Sequence, residues 1–112
     1  MDCLFCKIAN GEIPSNKVYE DEKILAFRDI APQAETHVLV IPKEHVASSA
    51  NDINAENCEI VGYIFAKIPE IASLAGVDSY RVINNCGDKA GQTVKHIHFH
   101  ILSGDNLSER LV

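Results

Sequence analysis

The 112-residue sequence has no tryptophan, a single methionine, and only 6% aromatic residues. It also lacks any apolar run approaching the ~18 residues that a membrane-spanning helix needs, so no membrane partner is expected. Positive charge is sparse: ten Lys and Arg stand against sixteen Asp and Glu, for a net charge of −6 with no basic cluster. A nucleic-acid polymer is held through its phosphates by a concentrated basic face, so that class of partner is excluded. A mononucleotide needs only a few local donors and stays open. Cysteine occurs at positions 3, 6, 58 and 86 alone. Met1-Asp2-Cys3 is acidic and has no signal-peptide core, so the chain is expected to be cytoplasmic. Cysteines in that compartment are more often metal ligands or plain thiols than disulfides.

What is present is ordinary for a globular protein, 46% hydrophobic and 23% charged. The length suits one core and not two, which makes residues 1–112 a single domain. Leu4, Phe5 and Ile8 give the segment 3–10 an apolar face, closed by Asn10-Gly11, and predict one or two helical turns. Val18–Glu20 and Ile24–Asp29 read as strands around the polar turn Asp21-Glu22-Lys23. His37–Ile41 is an apolar run of strand length stopped by Pro42 and should be a central strand. From about Ala55 the period changes. Ile60, Ile64, Ile68, Ile71 and Ala75 recur at helical spacing up to Gly76. Pro69 lies inside that helix, and a kink between Phe65 and Pro69, or a helix in two pieces, is expected. Tyr80–Asn84 is a fourth strand and His96–Leu102 a fifth. The fold class is therefore α+β: an antiparallel five-stranded sheet with one long helix and a short N-terminal helix.

The last strand carries the chemistry. His96-Ile97-His98-Phe99-His100-Ile101-Leu102 alternates polar and apolar, and successive side chains of a strand point to opposite faces. Ile97, Phe99 and Ile101 then enter the core, while His96, His98 and His100 stand in a row about 6.6 Å apart on the other face. One phosphate-sized group reaches His98 and one neighbour, not all three. The row is open to three interpretations: polar filler on an exposed face, a metal site, or a nucleophile with helpers. The preceding loop, Gly87-Asp88-Lys89-Ala90-Gly91-Gln92-Thr93, favours the last. Glycine lets backbone N–H groups approach an anion, and Gln92 and Thr93 add side-chain donors. A neutral imidazole with a pKa near ~6.5 is a competent nucleophile toward phosphorus. His98 would form a phosphoramidate intermediate, and His100 would steady the non-bridging oxygens and protonate the leaving group.

Cys3-x-x-Cys6 with His45 and His96 makes a four-ligand set suited to tetrahedral zinc. A redox pair and two plain thiols are the alternatives for the cysteines. With every position filled by protein, such a zinc would be structural.

These stretches carry a resemblance. The row is similar to the histidine triad signature, and Phe5–Ile8, Glu12–Pro14, Leu25–Ala34, His37–Lys43 and Gly91–Val94 resemble the Hint branch of that family. The resemblance implies a nucleotide-binding hydrolase of the purine nucleoside phosphoramidase type, working as a homodimer whose two sheets join. It implies His98 as the nucleotidylated residue, with His96, His100 and His37 completing the polar cluster. It places Asp29 on the ribose hydroxyls and Phe5, Ile8, Phe27, Ile30 and Leu39 around a purine base. Asn85, Gly91 and Thr93, with His98 and His100, would meet the α-phosphate, and zinc would sit on Cys3, Cys6, His45 and His96. Two positions depart from the family pattern: Arg28 stands where histidine is frequent, and Ala90 where glycine is common. Three other functions stay in play: a binding module with little catalysis, a dinucleoside polyphosphate hydrolase, and a hydrolase with a catalytic metal on the row.

Overall fold

A computed structural model describes residues 3–105 and 107–108. The chain runs α1 (Leu4–Ala9), β1 (Lys17–Glu20), β2 (Ile24–Arg28), β3 (Thr36–Pro42), α2 (Glu59–Ala75), β4 (Arg81–Ile83) and β5 (Phe99–Ser103). The strands form one sheet in the order β1-β2-β3-β5-β4, with every pairing antiparallel. The α+β class, the five strands and the two helices agree with the expectation from the sequence.

The alternation along β2 and β3 divides the interior in two. Ile24, Ala26, Val38 and Val40 face α2 and pack with Ile64, Ile68, Ile71, Ile97, Phe99 and Ile101. Leu25, Phe27, Leu39 and Ile41 face the other way and pack with Phe5 and Ile8 of α1. Both faces of β3 are thus covered, which is why it reads as an unbroken apolar run.

Helix α2 starts later than the periodicity suggested. Asn54 and Asn57 exchange hydrogen bonds across a turn, and Asn54 also accepts from the backbone N–H of Glu56. These bonds commit the preceding residues to a turn. Pro69 does not split the helix, which runs unbroken from Glu59 to Ala75. The proline is exposed, and Phe65, whose carbonyl it deprives of a helical donor, is itself 49% exposed. Gly76 ends the helix at φ +88°, its N–H bonding Ser73 O while Val77 N–H reaches Ala72 O.

The histidine strand also begins later than expected, at Phe99. His96 to His98 are held from outside the ladder. Ile97 N–H donates to Ala47 O at 3.0 Å, and Asn84 Nδ2 donates to His98 O at 2.8 Å. The alternation survives: Ile97, Phe99 and Ile101 are buried in the α2 core.

Candidate functional site

In the β3–β5 register His37 lies opposite Leu102 and Leu39 opposite His100. His37 and His100 are therefore diagonal neighbours on the α1 face. Their rings meet, His37 Nε2 lying 2.8 Å from His100 Nδ1. The His98 and His100 ring centres are 5.1 Å apart.

Backbone partners fix which nitrogens carry protons, because a backbone N–H only donates and a carbonyl only accepts. Gln33 N–H donates to His37 Nδ1 at 3.1 Å, so the proton of neutral His37 sits on Nε2 and points to His100 Nδ1. His100 then carries its own proton on Nε2, a buried atom with no partner among the described residues. His98 Nδ1 lies 2.8 Å from His96 O and must donate to it. Its Nε2 is left with a bare lone pair. A nucleophile and a hydrogen-bond donor thus sit side by side.

Burial keeps these rings neutral. Desolvation pushes His37 and His98 below the usual histidine value, and His100 down to about 4, with His98 and His37 beside it adding to the effect.

A cavity of about 290 Å³ opens on this face. Phe5, Ile8, Phe27 and Leu39 supply its apolar wall, with Ile30, fully exposed, also lining it. His98, His100, Asp29 and Thr93 add polar groups to its lining. The Phe5 ring meets that of His98 edge-on at 5.0 Å. Asp29 accepts Ala31 N–H through Oδ1 at 2.8 Å, and its Oδ2 lies 3.5 Å from His37 Nε2. Of the residues picked from the sequence, these nine share one cavity.

The others sit elsewhere. His37 acts on His100 from behind. Gln92 is turned inward rather than offered as an anion donor: its Nε2 donates to Ser48 O and Val94 O, and its Oε1 accepts Gly87 N–H. It pins the loop. Gly87 and Gly91 take the positive φ angles of that loop, +90° and +87°. Ala90 ends the intervening turn of 3-10 helix and needs no such freedom, so its departure from the family pattern costs nothing here. Asn85 is half-buried between β4 and that loop and, with Gly91, does not line the cavity. Ser15 and Arg28 do line it. Ser15 has a buried hydroxyl without a partner among the described residues. Nothing local in Pro14-Ser15-Asn16 marks it, since only the packing of α1 brings that loop to the wall.

His96 faces away from the cavity, fully buried, and belongs to the cysteine set. Its Nε2–H donates to Pro42 O at 2.8 Å, which leaves the Nδ1 lone pair toward Cys3 Sγ at 3.3 Å and Cys6 Sγ at 3.5 Å. His45 Nδ1 lies 3.4 Å from Cys6 Sγ, and all four donor atoms fall within 4.8 Å of one another. A tetrahedral cation bound at roughly 2.3 Å to sulfur and 2.0 Å to nitrogen sets S and N about 3.5 Å apart. The four residues fit such an ion. Cys6 N–H donates to Cys3 Sγ, and the Cys6 thiol is pushed up by burial and by Cys3 beside it. A bound cation would offset that burial by stabilising the two neighbouring sulfurs as thiolates. Donor atoms of Asp29, His37 and His100 also lie within 4.8 Å of one another. There the donor chemistry does not fit, because His37 Nε2 carries the proton and Nδ1 is engaged by Gln33. Within that trio His37 donates to His100, and the Asp29 carboxylate stands 3.5 Å from the same His37 nitrogen.

Fold and site together define a class: small α+β proteins in which an alternating histidine row borders an apolar cavity. Residues 2–111 match the family model described as "Scavenger mRNA decapping enzyme C-term binding". The chain is 42% identical over 112 residues to the purine nucleoside phosphoramidase of Escherichia coli K12, covering 98% of this chain and 93% of that one. It is 54% identical to a histidine triad protein from Clostridium difficile, whose solved structure superposes with a TM-score of 0.92 over 98% of this chain and 96% of that one. A HIT family hydrolase from Clostridium thermocellum gives 0.93 at 42% identity, over 99% and 97% of the two chains. The chain belongs to the histidine triad family.

Proposed function

We propose that the protein is a hydrolase that cleaves the P–N bond of purine nucleoside 5′-monophosphoramidates through a nucleotidyl-His98 intermediate. One observation carries this reading: the bare Nε2 of His98, on a ring that lines an apolar cavity beside the unpartnered Nε2–H of His100. The purine lies against Phe5, Ile8, Phe27, Ile30 and Leu39, and Asp29 takes the ribose hydroxyls. Thr93 and the loop around Asn85 and Gly91 border the α-phosphate, with Gln92 fixing that loop from within. His98 Nε2 attacks phosphorus and the P–N bond breaks. The amine leaves with a proton taken up from solvent, while the Nε2–H of His100 donates a hydrogen bond to a non-bridging phosphoryl oxygen. Water then attacks phosphorus, the His98–P bond breaks, and the nucleoside monophosphate leaves as the water's proton returns to solvent. The His98 Nδ1–H bond to His96 O holds the ring in the tautomer that attack requires and steadies the charge it acquires.

The same reading places zinc on Cys3, Cys6, His45 and His96 as a structural ion, since all four positions are protein. It also makes the protein a cytoplasmic homodimer. β4 pairs with β5 alone among the described residues, which suits two sheets joining at that edge. Four free cysteines suit a reducing compartment, and no helix among the described residues is long and apolar enough to cross a membrane.

The test is mass spectrometry of protein quenched during turnover of a tryptamine-type adenosine phosphoramidate. A mass gain of one nucleotide on the peptide holding His98 is expected. His98→Asn should abolish the adduct and lower turnover by roughly three orders of magnitude or more. Unchanged turnover in that variant rules out the mechanism. AMP affinity without any adduct would leave a binding module.

A further inference from the structure

The four-ligand set and the nucleotide cavity share their supports. Helix α1 is six residues long, too short to persist on its own. It brings Cys3 at its N-cap and Cys6 in its first turn to His45 and His96, and it brings Phe5 and Ile8 to the cavity wall. The Phe5 ring touches three of the site's rings edge-on: His98 at 5.0 Å, Phe27 at 5.8 Å and His96 at 6.0 Å. Whatever fixes Cys3 and Cys6 therefore fixes one wall of the base pocket.

A second connection runs through the backbone. Residues 96–98 precede the β5 ladder, so no strand pairing sets their orientation. The His96 ring is tied at both nitrogens, by Pro42 O on one side and the two sulfurs on the other. The carbonyl of the same residue accepts His98 Nδ1–H at 2.8 Å. Movement of His96 tilts that carbonyl and with it the ring that offers its Nε2 lone pair.

We propose that a cation on Cys3, Cys6, His45 and His96 and a purine nucleotide in the cavity are thermodynamically coupled, the cation ordering both α1 and the His98 ring. Cys3, Cys6 and His45 are then positioning residues, acting through Phe5 and through the His96 carbonyl. The coupling rests on the nucleotide reading of the cavity given above. Because linkage is reciprocal, the factor by which the metal tightens nucleotide must equal the factor by which nucleotide tightens metal.

The experiment uses Zn²⁺ and AMP as probes on the full chain under reducing conditions. AMP affinity is measured by calorimetry on zinc-loaded and chelator-stripped protein, and zinc affinity by chelator competition with and without saturating AMP. Both should change by the same factor, about tenfold. Ring ¹⁵N spectra should show one His98 tautomer, Nδ1–H, in the loaded protein and a mixture in the stripped one. If stripping unfolds the chain, His45→Gln takes its place, with circular dichroism to establish that it is folded. Any folded, metal-free form that binds AMP as tightly as the loaded protein overturns the coupling, as does failure of Zn²⁺ to bind the set. Loaded protein that binds no AMP overturns the nucleotide reading itself, a separate result.

Discussion

At the scale of single residues, one carbonyl decides the chemistry of the row. If His98 Nδ1 did not face His96 O, the imidazole would divide between tautomers and only part of the population would offer Nε2. The arrangement predicts a spectrum. Long-range ¹H–¹⁵N correlations at pH 7 should show His98 protonated at Nδ1 and His100 at Nε2, and the His100 ring should stay neutral until the pH approaches about 4. A His98 ring protonated at Nε2 would remove the nucleophile. The row itself was legible in the sequence, because alternation alone places three imidazoles on one face. Its tautomers were not, for they depend on Gln33 N–H and His96 O, whose positions follow from the tertiary structure. Gln92 was misjudged for a similar reason: the carbonyl that claims its amide belongs to Ser48, 44 residues away in sequence.

At the scale of elements, periodicity identified every strand and both helices, because a period of two or 3.6 is a property of contiguous residues. Boundaries were less legible. The start of α2 is set by the Asn54–Asn57 turn and the start of β5 by bonds from Asn84 and to Ala47, which spacing does not encode. Two glycines of α2 provide a test with opposite signs. Gly62 is a helix-interior residue without a positive φ, Gly76 is the cap at φ +88°, and a Cβ at either position meets nothing within 4 Å. Sterics therefore drop out and conformation alone remains. Gly62→Ala should stabilise the protein by up to about 1 kcal/mol, through the unfolded-state entropy it removes and the helix propensity it adds. Gly76→Ala should destabilise it by roughly 1–2 kcal/mol, because alanine is strained in the left-handed region. Urea midpoints of the two variants that shift in the same direction would contradict this account of the helix end.

At the scale of the whole molecule, the site imposes a pH dependence on folding. His37 and His100 are held neutral in the folded chain, chiefly by burial, although Asp29 nearby favours their charged forms; His98 is the other titratable ring facing His100. In the unfolded chain both take up protons near the ordinary pKa of ~6.5. Above that value neither state binds these protons and the two groups leave stability unchanged. Between about 6.5 and the His100 value of about 4, the unfolded chain binds protons that the folded chain refuses, so stability falls as pH falls. His100→Asn removes one of these groups while keeping a polar side chain of similar reach. The difference in urea midpoint between wild type and this variant, measured at pH 7.5, 6 and 5, cancels contributions from the cysteine set and from surface carboxylates. Wild type should lose more stability than the variant on acidification, with the difference appearing only below about pH 6.5. A difference independent of pH would mean that the His100 ring accepts a proton as readily in the folded protein as in water. Protonation of His100 in mildly acidic solution would then leave its Nε2–H in place but set an Nδ1–H against the Nε2–H of His37, breaking the bond between the two rings.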